Sequence, residues 1–144
     1  FHLRGMVDIP LWLDSVAIIS NDGNKPFEMR LESGLEAYKI KVIPEPAQAH
    51  YWLIINKSNL QQHIISVGAS TNPRQYQLIM TIEFQLQSNT GKIIQPSRQI
   101  MVTRQFTVNN DRILGSNEEE ATLISEMQQE AVIQIINRLS HKGS

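Results

Sequence analysis

No cysteine occurs among the 144 residues. That single absence removes disulfides, thiolate chemistry and most zinc sites, without assigning a compartment. An excess of one charge is missing too: 13 Lys and Arg against 14 Asp and Glu leave a net −1. Nothing in that balance draws the whole molecule to nucleic acid or to an anionic membrane, so any anion site must be a local cluster of Lys and Arg. No apolar run approaches the ~18 residues a membrane-spanning helix requires. Aspartates are few, namely Asp8, Asp14, Asp22 and Asp111, and none pairs into an acid–base motif. The chain has no Gly-x-Ser-x-Gly elbow, no glycine-rich phosphate loop and no His-Glu-x-x-His. His2, His50, His63 and His141 are scattered without ligand spacing, so no metal site and no cofactor is expected. An initiator methionine is also missing, and the start at Phe1 leads us to expect that a signal peptide or lipidated N-terminus once lay upstream.

What is present describes an ordinary globular chain, 41% hydrophobic and 19% charged. Its length suits one domain over residues 1–144, able to bury about 70% of the unfolded surface. Residues 1–11 read as an extended lead-in, with Pro10 opposing helix. Trp12 to Ser20 reads as a first strand, ended by the turn-rich Asn21-Asp22-Gly23-Asn24. A helix follows, capped by Asn24, with Pro26 in its first turn and Phe27, Leu31, Leu35 and Tyr38 as its apolar stripe. Gly34, inside that stripe's span, costs about 1 kcal/mol relative to alanine.

His50 to Ile55 is rich in aromatic and β-branched residues and reads as strand. Asn56 to Asn59 interrupts it, and Leu60 to Val67 resumes it across a bulge or bend. After a loop from Gly68 to Arg74 comes the cleanest strand, Gln75 to Gln87. Its even positions, Tyr76 to Leu86, are apolar; Gln77, Thr81, Glu83, Gln85 and Gln87 point the other way, toward water or a polar partner. Asn89 to Lys92 is a turn and Arg98 to Val108 the returning strand. Gly115 should turn the chain into a last helix, with Ser116-Asn117-Glu118-Glu119 as a capping box and Glu118 to Glu120 at the positive end of the helix dipole. Ile124, Met127, Ala131, Ile135 and Leu139 form its apolar stripe. The order strand, helix, three strands, helix predicts an α+β two-layer sandwich: two helices on one face of a mostly antiparallel, mixed four-stranded sheet.

Three features stand out as candidate site elements. Arg104 falls by strict alternation on the apolar face of Ile100, Val102, Phe106 and Val108, where an unpaired guanidinium costs several kcal/mol. Either a bulge swings it outward, an acidic group meets it at the sheet edge, or it is a buried structural or partner-binding arginine. The loops 68–74 and 109–116 lie near the same end of an antiparallel sheet, and each carries one arginine, Arg74 and Arg112. Solvated loop charge is the plainer account of both.

Read together, several patches resemble the LptE family of lipopolysaccharide-assembly lipoproteins. Phe1-His2-Leu3-Arg4-Gly5 is similar to the start of the mature lipoprotein, where an acylated cysteine and a small residue precede an aromatic-His-Leu-Arg segment. Tyr76 to Thr81 is similar to the family's central strand. Arg104, Phe106, Leu114, Glu119, Leu123, Glu126, Met127, Ala131, Arg138 and Leu139 stand where its arginine strand and Glu-x-x-x-Leu-x-x-Glu-Met helix pattern put them. The stretch from Asn21 to Gly68 agrees by element order alone.

The resemblance implies two helices on a sheet and a non-enzymatic, lipid-anchored protein on the periplasmic side of the outer membrane. It also implies a one-to-one plug inside the LptD β-barrel, assisting both barrel assembly and lipopolysaccharide delivery. A plug needs a polar face toward a polar lumen, which makes Gln77, Gln85 and Arg104 the expected partner contacts. The family's basic residue in each loop corresponds here to Ala69 and Ser116, neither of them basic. Arg74 and Arg112, which can grip phosphate bidentately, are the nearby substitutes for lipopolysaccharide. The competing expectations are another periplasmic or surface lipoprotein adaptor with a different protein partner, and a small enzyme with a sheet–helix pocket using Glu83 or His63.

Overall fold

The computed structural model describes residues 9–21, 24–67, 74–108 and 113–140, without the side chains at 66–67, 74, 108 and 113–117. In chain order the elements are β1 (Ser15–Ser20), α1 (Lys25–Ala37), β2 (Lys41–Val42), a one-turn 3-10 helix (Pro46–Gln48), β3 (Tyr51–Val67), β4 (Arg74–Ser88), β5 (Ile93–Val108) and α2 (Ile113–Ser140). The sheet order is β2-β1-β3-β4-β5. The α+β sandwich expected from the sequence is therefore present, with the two-residue β2 as an additional fifth strand. β1 runs parallel to β2 and β3, whereas β3, β4 and β5 form an antiparallel meander. The parallel pair follows from α1, which carries the chain back over the sheet between β1 and β3.

Both helices bury one face against the same side of the sheet. Phe27, Leu31 and Leu35 of α1, Leu53 and Ile55 of β3, Leu78 to Leu86 at even positions of β4, and Met127 to Leu139 of α2 share one core. Asn24 caps α1, its side chain accepting from the Phe27 N–H at 3.4 Å, as the sequence predicts. The end of α1 carries a signal that the sequence hides. Lys39 sits at φ 66°; its N–H donates to the Glu36 carbonyl at 2.9 Å, and the Ile40 N–H donates to the Leu35 carbonyl at 3.1 Å. That is the paired hydrogen-bond closure usually built around glycine, here with lysine at the left-handed position.

Gly34 is where the two helices meet. A Cβ there would lie 2.6 Å from Val132 Cγ1 and 3.2 Å from Ile136 Cδ1. Those α2 residues are buried beside the expected stripe, widening it toward α1, while Ile124 is only partly buried.

β3 is continuous through Asn56 to Asn59, not broken there, and the expected irregularity is a register shift between Ile55 and Lys57. Its effect is to reverse the parity of the strand. Leu53 and Ile55 face the core before it; after it Lys57 stands opposite Glu83 on the helix-free face, and Leu60 opposite Met80 on the helix side. The turn expected at Asn89 to Lys92 is present, with Gly91 at φ 97° and the Ser88 N–H donating to the Lys92 carbonyl at 2.8 Å. The returning strand starts five residues before Arg98, at Ile93. Pro96 is accommodated because β5 is an edge strand.

The last helix starts earlier than the capping pattern indicates. α2 begins at Ile113, so Gly115 and Ser116 lie inside its first turns and Glu118 to Glu120 beyond the first turn. Ser-x-x-Glu is also compatible with a helix interior, and propagation adds a hydrogen bond for each residue fixed. The expected dipole contribution of those glutamates, which decays within one turn, is correspondingly lost.

Candidate functional site

Because both helices lie on one face, the opposite face of the three long strands carries no second layer among the described residues beyond the start of β3, where the Trp52 indole donates to the Pro46 carbonyl at 2.8 Å. Along β4 it presents Gln75, Gln77, Ile79, Thr81, Glu83, Gln85 and Gln87, opposite Gln99, Met101, Thr103, Gln105 and Thr107 on β5. On β3 it presents Lys57, Asn59, Gln61 and His63. Among the described residues of β3, β4 and β5, its Asp, Glu, Lys and Arg side chains are Lys57 and Glu83, which are register partners. Ser97 donates to the Glu83 carboxylate at 2.8 Å. The remainder is amide and hydroxyl with a few aliphatic groups, the His63 imidazole and, at the start of β3, Trp52. Amides both donate and accept, so this face can meet either kind of polar group, with few ions to desolvate.

Gln77 and Gln85 both stand on this face and are half-buried between neighbouring rows. Gln77 is flanked in register by His63 and Gln105. Gln85 accepts from Asn56 Nδ2 at 3.3 Å and donates to Gln87 at 3.4 Å, forming a short amide ladder.

Arg104 is not among them. The β4–β5 register is unbroken from Arg74↔Val108 to Phe84↔Arg98, so no bulge turns it outward; it stays opposite Leu78 on the helix side. The acid it needs comes from α2: its guanidinium ion-pairs with Glu130 and donates to the Thr103 carbonyl at 2.7 Å. Gln134 donates to the other Glu130 oxygen at 3.2 Å. The two charged side chains are 36% and 39% exposed, which makes this a half-solvated clamp between the edge strand and the helix rather than a buried ion pair.

Arg74 opens β4, in register with Val67 and Val108. The segments 68–73 and 109–112 therefore leave the same end of the sheet. Arg112 and Ala69 lie outside the described residues, as does the Ser116 side chain.

The residues an enzymatic reading would use are dispersed. His63 is exposed on the sheet and 3.3 Å from Gln61, while His50 Nδ1 lies 2.9 Å from Asp14. That hydrogen bond to His50 holds the Asp14 carboxyl below the ordinary aspartate value. A concavity of about 340 Å³ lies between α1 and α2, lined by Met29, Arg30, Ser33, Gly34, Ala37 and Gln129; neither Glu83 nor His63 lines it.

Periodicity in the sequence reveals the polar face, but the Arg104 acid, Glu130, is 26 residues away on another element. Its only local signal is its place beside Ala131 on the helix.

Comparison with known proteins supplies the remaining findings. The family model described as LptE, lipopolysaccharide-assembly, matches residues 13–139. The LPS-assembly lipoprotein LptE of Pectobacterium atrosepticum is 24% identical over 140 residues, covering 96% of this chain and 75% of that protein. The solution structure of lipoprotein B from Nitrosomonas europaea superposes with a TM-score of 0.80 at 24% identity, over 97% of this chain and 90% of that one. The minor lipoprotein of Acinetobacter baumannii gives a TM-score of 0.76 at 18% identity, over 91% and 93%.

Proposed function

The chain belongs to the LptE family of lipopolysaccharide-assembly proteins, and from that premise we propose that it is a non-enzymatic plug and assembly partner of the outer-membrane barrel LptD. The observation that carries this reading is the helix-free sheet face. Three long strands present amides and hydroxyls with almost no ions. A surface of that kind suits the polar interior of a barrel, where fixed charges would need matched partners and amides do not. Gln77 and Gln85 are proposed contacts at two heights along β4. Arg104, half-exposed beside Glu130, is a third, able to keep its clamp while offering remaining donors outward.

The sheet end from which 68–73 and 109–112 depart is the proposed lipopolysaccharide side, with Arg74 and Arg112 as phosphate-gripping groups. The protein would sit at the periplasmic side of the outer membrane, held there by a lipid on an upstream cysteine. None of the described helices is long and apolar enough to cross a membrane.

Co-expression with LptD tests the reading directly. A stable one-to-one complex that protects LptD from proteolysis is expected, and the pair Gln77→Glu with Gln85→Glu should weaken it by introducing ions into the contact. Failure to co-purify would end the proposal. Separately, Arg74→Ala with Arg112→Ala should lower lipopolysaccharide binding while leaving the barrel complex intact; unchanged lipid binding would remove those two assignments.

A further inference from the structure

The two edges of the sheet are treated very differently. β5, at one edge, carries Pro96, Arg98 and Arg104 and is crossed by the Arg104–Glu130 clamp. Proline and charge of this kind are how an edge strand is kept from recruiting another chain. Toward the other side of the sheet, β3 is covered by β1 at its start and becomes an edge for the rest of its length. β1 pairs with β3 only as far as Ser20↔Ile55. Beyond that, the Asn21 N–H donates to the Ile55 carbonyl at 3.1 Å and Asn24 Nδ2 to Ser58 Oγ at 3.1 Å, after which the chain leaves β3 to form α1. From 59 to 65, β3 pairs with β4 on one side and, among the described residues, with no strand on the other.

That open stretch, Asn-Leu-Gln-Gln-His-Ile-Ile, contains no Asp, Glu, Lys, Arg or Pro. It also gathers exposed aliphatic groups: Leu60 is 41% exposed, Ile64 55% and Ile65 45%. Leu60 and Ile64 lie on the helix side of the sheet, opposite Met80 and Tyr76, while Gln61 and His63 lie on the helix-free side. An unblunted edge with an apolar row is a template for strand pairing.

We propose that this edge pairs antiparallel with the same edge of a second copy of the chain, about a two-fold axis through Gln62. The stretch is self-complementary in that register. Leu60 falls opposite Ile64 of the second copy, and Ile64 opposite its Leu60, giving two apolar cross-strand pairs on the helix side. Gln61 falls opposite His63 of the second copy on the other face, and no like charges are opposed. Moving the axis by half a residue sets Leu60 against His63 and reverses which face of the copy carries its helices, whereas moving it a whole residue keeps the faces but sets Gln62 against Leu60 or Ile64; only the axis at Gln62 pairs Leu60 with Ile64. Two five-stranded sheets then become one, with all helices on one side. The edge is about 23 Å long at the strand rise, too short for an obligate interface, so the pairing is reversible and concentration-dependent. The inference stands on the strand edge alone and concerns the free chain; a one-to-one barrel complex would exclude the pairing.

The absence of cysteine from residues 1–144 provides a clean test in this chain. Antiparallel pairing brings the two Gln62 Cα atoms to roughly 4.5–5.5 Å, within disulfide reach. Gln62→Cys should therefore oxidise to a covalent dimer at protein concentrations where Thr90→Cys, in the distant exposed turn, stays monomeric. Analytical ultracentrifugation of the parent chain should show a dimer growing with concentration. Leu60→Lys with Ile64→Lys, at exposed positions that leave the circular dichroism unchanged, sets like charges opposite each other twice and should weaken association by roughly tenfold or more. A parent chain that stays monomeric throughout, a dimer indifferent to the two lysines, or equal cross-linking at 62 and 90 would each overturn the proposal.

Discussion

Gly34 and Lys39 sit five residues apart and invert the usual expectations for their residue types. In an exposed helix Gly→Ala gains about 1 kcal/mol. At Gly34 the added methyl would be 2.6 Å from Cγ1 of Val132, a β-branched side chain with little rotamer freedom in a helix. Overpacking of that kind costs about 1–3 kcal/mol, so Gly34→Ala should lower stability in urea unfolding. Adding Val132→Ala should remove that penalty; if Gly34→Ala remains as harmful in the Val132→Ala background, the close approach is not its cause. Lys39 runs the other way. Its backbone is held at φ 66°, a conformation costing roughly 1–2 kcal/mol for a residue with a Cβ. Lys39→Gly should therefore raise the unfolding midpoint, with the α1 closure onto Leu35 and Glu36 kept.

At the scale of elements, the coupling that matters is between β5 and α2. The core joins them through Val102, Phe106, Met127 and Ala131, and Arg104 with Glu130 adds a polar fastening at their exposed margin. Because both side chains are about a third exposed, screening keeps the pair's contribution near 0.2–1 kcal/mol. A double-mutant cycle of Arg104→Ala and Glu130→Ala should give a coupling energy in that range, shrinking as salt rises. A coupling of several kcal/mol would mean a desolvated pair and contradict the exposure. The bulge at Asn56 is the other element-scale device. By reversing parity it places Lys57 beside Glu83 on the open face and leaves Leu60 and Ile64 on the helix side of a free edge.

At the scale of the molecule, both helices and every strand from β1 to β5 contribute side chains to a single apolar cluster. Treating residues 1–144 as one domain is a proposal that predicts one cooperative transition, with far-UV circular dichroism and tryptophan fluorescence melting together. Trp12 and Trp52 lie at the β1–β3 end, Trp52 donating to the Pro46 carbonyl at 2.8 Å. Fluorescence that changed well before the helical signal would show that end unfolding separately.

Much of this molecule was legible in its residues. The alternation of Gln75 to Gln87 announced a strand with one apolar and one amide face, Asn24 and Pro26 announced α1, and the spacing from Met127 to Leu139 announced α2. Those are local signals, set by the two-residue and 3.6-residue repeats of backbone geometry. The sequence alone also placed Arg104 on the apolar side, and that placement holds. It could not supply Glu130 as the acid, the need for glycine at position 34, the start of α2 at Ile113, or the brief β2 pairing. Each of the first two depends on which helix lies against which strand or helix, a matter of three-dimensional proximity between residues far apart in the chain. Local periodicity thus determined which faces are apolar; only packing decided which of those faces are covered, and the amide face and the β3 edge matter because nothing in the described fold covers them.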